Sequence, residues 1–166
     1  MPGEKGGRPH IAEEIIGRLG LSRHPEGGWY REIHRSPDVM PRPEGDGGAR
    51  PALTVIHYLL PRGDFSAFHR LRSEEAWVHL SGGPLELFLL GERPVRRLLS
   101  PFGGGGEPVV VVPACVPQAA RPLGDYTLSA CLVAPGFTFG DFTLPSREEL
   151  VASFPEEVEM IRSLTR

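Results

Sequence analysis

The stretch GDFSAFHRLRSEEAWVHLSG, residues 63–82, decides the fold. It carries His69, His79 and the adjacent carboxylates Glu74 and Glu75 between glycines at positions 63 and 82. Side chains on a strand alternate faces. On that parity His69 and Leu71 share a face with Phe65 and Ala67, and Glu75, Trp77 and His79 share a face of the next strand. A turn at 72–74 that brings both faces inward gathers His69, Glu75 and Trp77 inside a barrel. An imidazole, a carboxylate and an aromatic wall in one pocket suit general acid/base chemistry or metal binding.

The flanking sequence repeats the same grammar. Short runs with strand character occupy 52–60, 65–70, 75–80, 85–90, 95–99, 108–112, 116–120, 126–134 and 137–144. They are separated by PRGD, SGGP, GERP, PFGGGGEP, RPLGD and APG, which read as turns. Regularly spaced short strands predict a β-sandwich or barrel, and the lack of helices between them argues against a parallel βαβ sheet. Ile11, Ile15, Ile16 and Leu19 follow helical spacing up to a stop at Gly20. A strand starts near Gly28, and 36–51 (SPDVMPRPEGDGGARP) reads as a long loop. After residue 145 the chain predicts two short helices hinged at Pro155. Phe137 and Phe139 fall on one strand face and Phe142 and Leu144 on the other. Either a bulge sits at Gly140-Asp141 or Asp141 points inward with the first pair.

The 166 residues fit one domain, expected over 10–166 behind a loose tail at 1–9. An apolar fraction of 40% is ordinary for a globular core. A net charge of −3 and the lack of a basic stripe argue against nucleic acid as a partner. No apolar run reaches membrane length, and the N-terminus has no signal-like apolar region, so the expectation is cytoplasmic. Cys115 and Cys131 form no CxxC pair and read as reduced, buried residues. The glycines at 103–106 lack the Lys-Ser/Thr of a phosphate loop and read as a hairpin loop.

The spacing of Gly63, His69, Leu71, Glu75 and Gly82 resembles the first motif of the cupins, with Leu71 where metal-binding members carry a second histidine. The second motif is weaker: VPACVPQAA (112–120) has Cys115 where glycine is usual and Gln118 where the third ligand histidine is usual. Together with HPEGGWYREIHRS (24–36), PLEL (84–87) and APGFTFGDF (134–142), these segments are similar to the cupin-5 type family of uncharacterised cupins, over about residues 10–145. The resemblance implies a mainly all-β fold, a double-stranded β-helix or jelly-roll barrel with an N-terminal helix and short C-terminal helices, and a homodimer. It does not by itself specify a reaction, because cupins host many.

A cupin metal centre uses three histidines and a glutamate. The equivalent set here is His69, Leu71, Glu75 and Gln118, of which leucine cannot ligate and glutamine is a weak donor. The expectation is no cofactor. A divalent metal on His69, Glu75 and Gln118, helped by His34 or His57, is the alternative. Without metal, His69 and Glu75 form a catalytic acid/base pair. Metal-free cupins of the sugar-nucleotide epimerase type pair a histidine base with a tyrosine acid, and Tyr30, Tyr58 and Tyr126 are available. Arg31, Glu32, Trp77, Gln118 and Asp141 are the candidate substrate-binding residues. The functional expectation is a cupin holding a small polar, sugar-like molecule and acting as a metal-independent epimerase or isomerase. The alternatives are a metal-dependent oxygenase or isomerase, and a binding or structural cupin without catalysis.

Overall fold

The structure is a computed structural model and describes residues 11–42 and 48–166. The expected tail at 1–9 lies outside the described residues, as do the central residues of the 36–51 segment.

The helical spacing at the start forms α1 (Ile11–Leu19), ended by Gly20 at φ +62°. Ala12, Ile15, Ile16 and Leu19 pack with Leu21 against Leu59. The strands follow in order: β1 (Ser22–Arg23), β2 (Trp29–Arg35), β3 (Val39–Pro41), β4 (Ala49–Pro51), β5 (Thr54–Pro61), β6 (Ser66–Leu71) and β7 (Glu74–Gly82). They continue as β8 (Leu85–Leu90), β9 (Pro94–Leu99), β10 (Val109–Val112), β11 (Gln118–Pro122), β12 (Tyr126–Ala134) and β13 (Phe142–Thr143).

Two antiparallel sheets form the barrel. One has the order β1-β2-β5-β12-β7-β10, the other β13-β6-β11-β8-β9. Their inner faces share a core of Tyr58, Leu60, Trp77, Leu85, Leu87, Leu89, Val110, Val112 and Ala120. This is the expected jelly roll.

Helices α2 (Arg147–Ser153) and α3 (Val158–Ser163) flank a 3-10 turn at Pro155–Glu157. Ser146 caps α2 by accepting from Glu149 N. Leu150, Ile161 and Leu164 cover Phe68, Phe88, Leu90 and Ala119 on the outside of the smaller sheet. Every residue of β8 is therefore buried, and its Glu86 is neutralised by Arg96 and Arg121.

Two segments differ from their sequence reading. The 36–51 segment is not wholly a loop, because β3 and β4 pair as a small hairpin. Residues 137–144 are not one strand. A 3-10 turn at Phe139–Asp141 precedes β13, which pairs with Leu71 and Arg70 of β6. The turn absorbs the parity change. It swings Asp141 away from Phe137 and Phe139 onto Arg50, whose Nε and second guanidinium nitrogen lie 2.8 and 3.0 Å from the carboxylate. Among the described residues no helix is long and apolar enough to cross a membrane.

Candidate functional site

A cavity of about 260 Å³ opens at one end of the barrel, near the lower end of ligand-pocket size. Strands β2, β5, β6, β7 and β12 wall it, and Phe137, Phe139 and Phe142 line one side. Its lining carries His24, Glu26, His69 and Glu75, together with the ion-paired Glu32 and Arg35.

His69 and Glu75 come from the inward faces of β6 and β7, as strand parity requires. His24 and Glu26 come from the turn HPEGG between β1 and β2. That turn is closed by His24 N donating to Gly28 O and Gly27 N donating to His24 O. Gly28 is needed there: at φ +73° an added Cβ meets the Leu60 side chain at 2.8 Å and Leu59 O at 2.9 Å. The turn is pinned from three sides. Tyr58 donates to Gly27 O at 2.6 Å, Asp64 accepts from Gly28 N at 3.1 Å, and Ala67 N donates to Glu26 O at 2.8 Å. Glu26 thereby lies beside β6, where it accepts from the Ser66 hydroxyl at 2.9 Å.

His69 is the centre of the arrangement. Its Nδ1 lies 2.8 Å from Ala67 O and 3.1 Å from Glu26 Oε2; both are acceptors, so Nδ1 carries a proton. Its Nε2 faces Glu75 Oε2 across 4.0 Å, too far for a hydrogen bond. Burial pushes the imidazolium toward neutrality, but the charge of Glu26 and the proximity of Glu75 outweigh it and hold the pKa at about 9. His69 is a cation at neutral pH. Glu75 is held by Gln118, which donates to Oε2 at 2.8 Å while its own oxygen accepts from Trp77 Nε1 at 2.8 Å. Burial pushes the Glu75 carboxyl above the ordinary range, and His69 only partly offsets this. The Cys131 thiol also borders the cavity, and burial pushes its pKa well up, with Glu75 and Glu26 adding to the effect.

Of the residues expected from sequence, His69, Glu75 and Glu32 line the cavity. Gln118 stands behind Glu75 as its support. Trp77 lies in the core, edge-on to Tyr58 at 5.5 Å. Arg31 is turned to the outside, donating to Leu19 O. Asp141 does not line the cavity, and the Arg50 guanidinium beside it holds its carboxyl below the ordinary range. Tyr30 and Tyr58 line the cavity and Tyr126 does not. Sequence parity missed His24 and Glu26 because they lie in a turn rather than on a strand. The signal was the compact H-P-E-G-G, a histidine and a glutamate bracketed by turn residues.

The donor set does not fit a metal. Leu71 offers an aliphatic wall. Both ends of Gln118 are engaged. His24 Nδ1 accepts from Glu26 N at 3.2 Å, which leaves the ring's proton on its other nitrogen. His57 pairs across β5 with Arg31, between cavity residues Ile56 and Tyr58, so it faces away from the cavity, and His34 is exposed. Among the described residues no three His, Cys, Asp or Glu side chains are placed to share an ion.

The profile of the family described as "Cupin superfamily (DUF985)" matches residues 13–145. The chain belongs to this cupin family. Two solved structures share this cupin's architecture over nearly their whole lengths. A hypothetical protein from Leishmania major is 28% identical, with 93% of this chain and 98% of that one covered and a TM-score of 0.85. A protein from Shewanella oneidensis is 32% identical, with 93% and 97% covered and a TM-score of 0.84. An oxalate decarboxylase from B. subtilis is 18% identical, with 86% of this chain and 36% of that one covered and a TM-score of 0.53, a likeness of fold alone. No curated protein matches the cupin.

Proposed function

We propose that this cupin binds a small, polar, sugar-like molecule in its barrel and moves a proton on it without a metal, as an epimerase or isomerase does. Glu75 is the base and His69 the acid. One observation carries the reading: His69 Nε2 and Glu75 Oε2, both on buried residues that line the cavity, face one another across 4.0 Å, unbonded to each other. Glu75 accepts from Gln118 at this oxygen and keeps further lone pairs for a bound molecule, and His69 Nε2–H keeps its donor. Gln118 and Glu26 hold the two groups from behind, so neither rotates away. The polar floor suits hydroxyl groups, and the phenylalanines at 137, 139 and 142 give an apolar face to the other side of a ring. The donor set described above argues for a reaction that runs on side chains.

The charge states agree with these roles. At neutral pH His69 holds the proton it gives, and Glu75 is a stronger base than an ordinary carboxylate. The rate therefore rises as Glu75 ionises above its ordinary range and falls as His69 loses its proton near pH 9.

The test is incubation in heavy water with a panel of aldoses, ketoses, sugar acids and nucleotide-linked sugars, read by NMR. The expected result is deuterium entering one carbon of a panel member. His69→Gln and Glu75→Gln each slow this by about 100-fold or more. Exchange at wild-type rates in both variants, or none across the panel, defeats the proposal.

A further inference from the structure

His24 is the group this mechanism leaves unused. It is buried at the cavity wall, edge-on to Tyr30 at 4.6 Å, Tyr58 at 5.7 Å and Phe142 at 6.0 Å. Its ring has a defined polarity. The backbone N–H of Glu26 donates to Nδ1 at 3.2 Å, so that nitrogen presents a lone pair and carries no proton. A ring accepting at Nδ1 is neutral with its proton on Nε2. Glu26 Oε2 lies 3.8 Å from Nδ1, beyond hydrogen-bond reach, and does not disturb this assignment. The ring's hydrogen bond among the described residues is this one at Nδ1, and the ring borders the cavity.

The two histidines thus differ in kind although both contact the same carboxylate's surroundings. His69 donates at Nδ1 to Ala67 O and Glu26; His24 accepts at Nδ1 from the Glu26 backbone. Burial first, and the neighbouring His69 charge as well, depress the His24 pKa against the pull of Glu26. A neutral imidazole with a fixed N–H is an electrophile: it polarises a carbonyl oxygen by hydrogen bonding without surrendering its proton.

We propose that His24 Nε2–H binds the carbonyl oxygen of the substrate, and that the substrate class is a small compound with a C–H bond next to a carbonyl, such as a ketose, an aldose or a 2-oxo acid. The inference rests on the acid/base reading of His69 and Glu75. In the step that follows, Glu75 takes the proton from the carbon next to the carbonyl. The C–H electron pair becomes the C=C bond, and the C=O π pair moves to oxygen as an enolate held by His24 Nε2–H. Returning a proton to carbon completes an epimerisation. Returning it to the neighbouring carbon, with the hydroxyl and enolate oxygens exchanging a proton, completes an isomerisation. No oxidant or reductant enters.

The test uses glycolohydroxamate, a small mimic of an enolate, against the whole protein. The wild type binds it, and the proton resonance of His24 Nε2–H, assigned by its loss in His24→Phe, shifts on binding. His24→Phe keeps the ring packing but weakens binding by about tenfold or more, the worth of one hydrogen bond to a charged oxygen. His24→Gln, which restores a donor, recovers part of the loss. An unmoved resonance, equal binding by His24→Phe, or no binding to the wild type overturns the proposal. The two readings fail separately. Deuterium exchange that needs His69 but not His24 removes the role of His24 alone. Hydroxamate binding that needs His24, with no exchange in any substrate, removes the acid/base reading instead.

Discussion

Burial alone drives a histidine neutral, and His69 is buried yet charged because Glu26 and Glu75 reverse the sign. The charge of Glu26 is the largest single attraction, through a contact of 3.1 Å to Nδ1. Glu26→Gln is therefore expected to lower the His69 pKa, and the alkaline limb of the pH–rate profile should move to lower pH in that variant. A limb that stays in place contradicts the assignment of Glu26 as the partner. The two cysteines give a second check at this scale. Cys115 is exposed, while Cys131 is buried with its thiol pKa raised by that burial. One equivalent of thiol should react with a disulfide reagent in the native protein and two in denaturant. His69 and Glu75 were legible from spacing because a strand fixes where every second side chain points. His24 and Glu26 were not, because their value depends on Ser66 and His69, 40 or more residues away in sequence.

At the scale of elements, the HPEGG turn and the 137–142 segment shape the cavity, and each hangs on a specific long-range contact. Gly28→Ala adds a Cβ within 3 Å of Leu60 and Leu59 at a positive φ. It should cost at least about 1 kcal/mol, lowering the melting temperature by roughly 3 °C, and disturb His24 and Glu26 together. The 137–142 segment is tied to β4 by Asp141 on Arg50, both buried. Asp141→Ala leaves the guanidinium without this carboxylate and should destabilise by about 3 kcal/mol, measured by urea unfolding. The sequence showed the parity break at Gly140-Asp141 but not its form. Alternating phenylalanines at 137 and 139 mimic a strand, and the arginine that turns the chain lies 91 residues away. The strands themselves were easier to read, because turn residues punctuate them and period-2 burial needs no distant partner.

For the whole molecule, the jelly roll follows from the number, length and punctuation of the strands, and the family likeness extends over most of the chain. Composition could not foretell how the cavity is charged, since that depends on which of 21 acidic residues meet there. The charge has a global signature. The His69 pKa is raised from 6.5 to about 9 on folding, so its contribution to stability is complete below about pH 6.5 and is lost as pH rises through about 9. Urea midpoints of the wild type should fall across that window, and His69→Gln should remove this part of the slope. The most direct test is the titration of His69 itself, followed by NMR of the nitrogen-labelled ring in the intact protein. His69 should stay an imidazolium through neutral pH and lose its proton near pH 9 if Glu26 and Glu75 hold its charge. A His69 that titrates at or below the ordinary 6.5 contradicts it.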